Sequence, residues 1–185
     1  MEETGRFEKD PVIDCGDVVL RRFRMDDIDD LVLNINDRGI SRYTLNIPYP
    51  YGPEDAIDFL EKNEKWFEEG RSLNLAITGK TDDRVIGGIG LMNVEWSNKA
   101  GEIGYWLGRI YWGRNIVPAA VNGFVEYIFR YIGLHRLSAV IFGPNLQSRR
   151  VMEKCGFFQE GTMRDRYLLD GEFVDGLIFS IIGEH

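Results

Sequence analysis

The apolar positions of this chain change period several times, and each change marks an element. Val18-Val19-Leu20-Arg21-Arg22-Phe23 reads as a strand. Asp26 then caps a helix in which Ile28, Leu31, Val32 and Ile35 recur at i, i+3, i+4 and i+7. Pro48-Tyr49-Pro50-Tyr51-Gly52 is a rigid loop, and Pro53 suits the first turn of a second helix. That helix turns Ile57, Leu60 and Phe67 towards a core and ends near Gly70. The period then shortens. Leu73–Ile77 alternates, Thr81-Asp82-Asp83 turns, Val85–Leu91 runs on, Ser97-Asn98 turns again, and Glu102–Leu107 forms the next strand. After a loop over 108–117, Val121, Phe124, Val125, Ile128 and Ile132 mark a helix stopped by Gly133. Leu137–Phe142 is a short apolar strand of the kind buried on both faces. A helix over 145–155 follows, then strands near 157–164 and 174–182 joined around Asp170-Gly171.

The resulting order, β-α-α-β-β-β-α-β-α-β-β, predicts an α+β domain with helices on both faces of a mixed sheet. A length of 185 residues suits one domain with a sizeable core. No apolar run approaches the roughly 18 residues of a membrane span, and the first twenty residues lack a signal-peptide pattern, so a cytoplasmic protein is expected. Thirty acidic against 22 basic residues give a net charge of −8 with no basic run, which argues against nucleic acid as the main ligand and weakly favours cationic partners. Cys15 and Cys155 with His135 and His185 make a poor metal kit, so no metal is expected. Cys155 reads as the last buried position of its helix, and His135 as a structural residue at a helix–strand junction.

The most specific stretch is Asn145-Leu-Gln-Ser148-Arg-Arg150-Val-Met-Glu-Lys154-Cys-Gly156-Phe157, with Glu160-Gly161 beyond it. On its own it is a capped helix running into a strand. The combination of Asn, Ser three residues on, Lys-x-Gly-Phe and Glu-Gly resembles the GNAT superfamily of acetyl-CoA-dependent N-acetyltransferases, most closely the RimJ/RimL type, which acetylates protein N-termini. The resemblance runs from about residue 17 to the C-terminus. It implies a GNAT fold over residues 17–185, preceded by an extension over 1–16. Its sheet would have about seven, mostly antiparallel, strands.

The same resemblance implies a diphosphate-binding loop in Tyr111-Trp112-Gly113-Arg114-Asn115-Ile116-Val117-Pro118, where backbone N–H groups at a helix start can hold an anion. The family keeps a glycine where this chain has Asn115, and a small residue where it has Val117. Asn is the side chain best able to replace Gly at positive φ. Val117 must sit at negative φ with its side chain turned to the core, and Pro118 removes one donor.

Further roles implied by the resemblance concern the transfer itself, which proceeds directly and needs no acyl-enzyme. Backbone near Tyr105, Trp106 and Leu107 would pair with the coenzyme's pantetheine arm, and Asn145 would bond an arm amide; by their own place beside Ser148, Arg149 and Arg150 could reach the nucleotide phosphates. Many members carry a tyrosine acid where this chain has Met152, which donates no proton. Ser148 is the candidate acid instead. Glu102 is the candidate base, with Tyr167 as the alternative at a position where some relatives carry a carboxylate. Tyr49 and Tyr51 match a region over the acceptor pocket, and Asp170–Asp175 matches a structural hairpin. The acceptor is expected to be a protein α-amino group, such as a ribosomal protein's N-terminus. A polyamine, antibiotic or other small amine, or a non-catalytic acyl-CoA-binding module on the same scaffold, are the alternatives. A homodimer is the base-rate expectation.

Overall fold

The computed structural model describes residues 7–183; His185 and the first six residues of the expected N-terminal extension lie outside them. Eight strands form one sheet: β1 Ile13–Asp14, β2 Val18–Arg22, β3 Leu73–Gly79, β4 Val85–Glu95, β5 Ala100–Leu107, β6 Arg136–Phe142, β7 Phe158–Leu169 and β8 Glu172–Ile182. Their spatial order is β1-β2-β3-β4-β5-β6-β8-β7, antiparallel throughout except between β5 and β6. The eighth strand, beyond the seven expected, is the two-residue β1 on the edge of β2. The segment before residue 17 therefore joins the sheet, and Phe7 is buried beside Phe67 and Trp96.

The helices are α1 Ile28–Ile35, the single-turn α2 Arg38–Ser41, α3 Pro53–Glu68, α4 Ile116–Tyr127 and α5 Leu146–Lys154. Helix α4 widens into a π-helical turn over Ile128–Ile132 and stops at Gly133, whose φ of 77° is the left-handed stop that the glycine predicts. Alternation along the strands creates two cores. One face of the sheet sends Leu20, Leu75, Ile77 and Leu91 against Phe124, Val121 and Met152 of α4 and α5. The other face sends Ala76 and Val85 against Leu31, Ile35, Ala56 and Leu60 of α1 and α3.

Three local expectations change. The cap at the start of α1 is Asp27 rather than Asp26: a short turn over Met25–Asp27 precedes the helix, and the Asp27 carboxylate accepts the Arg24 N–H at 2.7 Å. In α3 the buried stripe runs Ala56–Leu60–Asn63, and Ile57 lies one residue round from it, 37% exposed. Strand β6 is not buried on both faces. Its burial alternates, with Ser138 and Val140 only half covered. The reason lies in what happens beside it.

Candidate active site

Strands β5 and β6 start side by side and then part. Their parallel ladder covers Ala100↔Arg136, Gly101↔Leu137 and Glu102↔Ser138, and ends there. Opposite this point β4 carries a bulge: Met92 pairs with Glu102 and Glu95 with Ala100, so Asn93 and Val94 oppose one residue. Asn93 sits at φ 49° within it. Such bulges bend a strand and raise its twist, and the β5–β6 ladder stops level with this one. Beyond Glu102 the two strands border a cleft of about 1590 Å³.

Backbone alternation fixes which groups face the gap. The Gly108 N–H donates to Ile86 O at 2.8 Å across the β4 side, whereas Gly101 O accepts the Ser138 hydroxyl on the β6 side. Ile103, Tyr105 and Leu107 thus turn their backbone groups towards the gap, and Trp106 turns its own towards β4. The Leu107 carbonyl is already taken by the Trp112 indole N–H at 2.7 Å. Tyr105 remains as the residue whose N–H and C=O can both serve an extended ligand. The Trp106 ring lies on the other face, in the core with Phe23.

The end of the gap meets two helix starts. Asn145 caps α5, its Oδ1 accepting the Ser148 N–H at 3.1 Å, which leaves its amide nitrogen available. The Ser148 hydroxyl has no hydrogen-bond partner among the described residues, while its backbone carbonyl accepts the Tyr105 hydroxyl at 3.4 Å. Burial pushes the Tyr105 phenol well above its usual pKa, outweighing that bond. Arg149 pairs with Glu153 at 2.9 Å, and Arg150 is exposed.

At α4, Gly113 and Asn115 adopt φ of 77° and 60°. Asn115 thus supplies the left-handed turn that the sequence expects of it. Ile116 and Val117 are half-buried and pack on the core, so the Val117 side chain is drawn inward rather than across the helix mouth. Arg114 is exposed and lies over the Tyr111 ring. The loop is open to an anion at its Ile116 and Val117 N–H groups, with none from Pro118.

On the opposite side of the cleft, Glu102 accepts the Asn93 side-chain amide at 3.1 Å. Tyr167 stacks on Phe142 with ring centroids 4.2 Å apart, and Tyr43 meets the far side of Phe142 edge-on at 6.0 Å. Burial first, and then the Glu102 charge, raise the Tyr167 pKa against the lowering effect of Arg166. Ser148, Glu102 and Tyr167 all line the same cleft. Tyr51 also borders it, but is 4% exposed and packed in the α1–α3 core, with its phenol pushed up to about 12 by burial and by Asp55 and Asp58. Tyr49 is exposed and does not line the cleft. Sequence reasoning passed over Asn93, Tyr43 and Phe142. Asn93 lies beyond the strand that the sequence pattern marks, Phe142 ends an apolar run that signals only core, and no spacing rule brings Tyr43 to Phe142.

Comparison with known proteins agrees with this geometry. Residues 17–158 match the family model for the acetyltransferase (GNAT) domain. The chain is 29% identical over 165 residues to an uncharacterized N-acetyltransferase, p20, of Bacillus licheniformis, covering 89% of this chain and 92% of that one. It is also 29% identical over 101 residues to the ribosomal-protein-serine acetyltransferase of Escherichia coli, covering 55% and 56% respectively. A solved structure of RimL, a ribosomal L7/L12 α-N-protein acetyltransferase in complex with coenzyme A, superposes with a TM-score of 0.85 at 21% identity over 93% of this chain and 98% of that one, a likeness of fold. With its parted strands, its capped α5 and a domain match over most of its length, the chain belongs to the GNAT acetyltransferase family and is an N-acetyltransferase.

Proposed function

We propose that this enzyme transfers an acetyl group from acetyl-CoA to a free α-amino group at the end of a protein chain. The observation that carries the reading is the gap between β5 and β6, with the Tyr105 backbone unpaired along it and the starts of α4 and α5 at its end. Acetyl-CoA, when bound, supplies an acetyl thioester. The residues fit it: Tyr105 offers strand-like bonds, Asn145 an amide, and the Arg114–Val117 loop an anion site that neither Asn115 nor Val117 closes.

Direct transfer needs a neutral amine and a proton for the departing thiolate. Ser148 is the proposed donor, because its hydroxyl is uncommitted and its backbone is fixed by Asn145 and Tyr105. Glu102 is the proposed acceptor of the amine proton, one carboxylate oxygen being held by Asn93. Tyr167 is the poorer base, since a phenol with a raised pKa keeps its proton near neutral pH. An α-amino group, with a reference pKa near ~8 against ~10.4 for lysine, demands little of a base.

The acceptor side favours positive charge. Asp55, Asp58, Glu68, Glu69, Glu95 and Glu102 line the cleft against Lys62 and Arg71. A basic chain end fits this lining, and so does a polyamine, which is the second reading.

Calorimetric titration with acetyl-CoA, followed by thiol release with N-terminal peptides and with polyamines, tests the proposal. Turnover with peptides is expected; turnover with polyamines alone would reject the protein acceptor. Ser148→Ala should lower kcat by about 10²-fold or more with little change in acetyl-CoA affinity. An unchanged kcat would remove Ser148 as the acid.

A further inference from the structure

Three cations, Arg114 before α4 and Arg150 and Lys154 on α5, have no carboxylate partner among the described residues. Arg114 directly precedes the left-handed Asn115, and Arg150 and Lys154 share one face of α5, four residues apart. None of the three forms an ion pair among the described residues. Some exposed cations of this acidic chain find carboxylates: Lys80 takes Asp14 at 2.7 Å, and Arg149 takes Glu153, the acid next to Lys154, at 2.9 Å. The positive end of the α4 dipole adds to the same field.

Lys154 is held there. Its Nζ donates to Asn115 Oδ1 at 2.6 Å, across 39 positions of sequence and away from the carbonyls of its own helix end. Asn115 is the N-cap of α4 by position, but at φ 60° and ψ 14° its side chain caps nothing. Three places later in the same first turn, Pro118 withholds an N–H that an anion would otherwise receive.

We infer that Lys154 binds the diphosphate of the coenzyme, replacing the donor absent at Pro118, and that Asn115 positions it. This rests on the acetyl-CoA reading above and goes beyond the backbone loop that the resemblance implies. Asn115 then has two tasks: it holds the turn at positive φ and tethers an ammonium over the helix mouth.

The test compares binding of CoA by calorimetry, and of pantetheine, which lacks phosphate, by the ligand-induced rise in Tm. The proteins are the wild type, Lys154→Met, Asn115→Gly and the double variant. Lys154→Met should weaken CoA about tenfold, the loss of one charge-assisted contact, and leave pantetheine unchanged. Its CoA affinity should also depend less on salt. Asn115→Gly should cost less, and the double variant should bind no worse than Lys154→Met alone. Wild-type CoA affinity in Lys154→Met, or an equal loss of pantetheine, would overturn the assignment, and additive losses would overturn the tether. A wild-type protein that takes no CoA would instead overturn the acetyl-CoA reading, and this inference with it.

Discussion

Asp27 shows what a single residue can decide in this protein. Its carboxylate accepts two guanidinium bonds from Arg21, at 2.8 and 2.9 Å, as well as the Arg24 N–H, and both side chains of the pair are 6% exposed. Arg21 keeps a second carboxylate, Asp83 at 2.7 Å, when Asp27 is removed, so the guanidinium stays paired. Asp27→Ala should therefore cost about 1.5–3 kcal/mol of stability in urea unfolding, whereas a loss below about 1 kcal/mol would mark the pair as effectively solvated. The sequence pointed to Asp26 as the cap, and the depth at which Arg21 lies explains why Asp27 takes that place. Asn115 is the opposite case. Its positive φ was legible because Asn tolerates that region best after Gly, yet its bond to Lys154 was not, because those two residues are brought together by the packing of α4 on α5. Ile57 was misplaced because a helix's apolar stripe can be drawn through either of two adjacent residues until a partner chooses.

At the scale of elements, the β7–β8 hairpin and its anchor to β6 divide along the same line. Asp170 and Gly171 adopt φ of 50° and 89°, the two left-handed residues that a tight hairpin requires, and the dipeptide announces them. The shifts of register in β7 near Gly161 and before Tyr167 have no such signature. They aim Tyr167 at Phe142 and place Glu160 where it reaches across β8. Glu160 bonds Arg136 on β6 at 2.8 Å and accepts the Ser180 hydroxyl of β8 at 2.6 Å. Arg136 first, and Ser180 second, hold its carboxyl at about 2 against an ordinary 4.5. A pKa lowered by folding stabilises the fold above the unfolded value, and that contribution fades as pH falls through the folded one. The urea midpoint of the wild type should thus exceed that of Glu160→Gln at neutral pH. The difference should narrow below about pH 4.5 and vanish near pH 2. A difference constant with pH would show that the pin is not ionic.

Across the whole molecule, the net charge of −8 and the acidic lining of the cleft act together on any cationic acceptor. Such attraction is screened over about 8–10 Å at physiological salt. The KM for a peptide with basic residues behind its N-terminus should rise with ionic strength, while that of a neutral peptide stays nearly flat; equal responses would remove the electrostatic argument. The family and the order of elements could be read from the chain alone, because hydrophobic period and the Asn145–Phe157 stretch are properties of neighbours in sequence. So could the candidacy of Ser148 and Glu102. The gap they border was expected only through the family resemblance, not from any local pattern. It opens where the β5–β6 ladder ends after three pairs, level with a bulge in β4, and pairing between strands separated by a helix depends on twist and on contacts that no local pattern records. The same holds for the aromatic row of Tyr43, Phe142 and Tyr167, drawn from three distant segments. Local sequence determined which pieces would form; long-range packing decided where two strands must part.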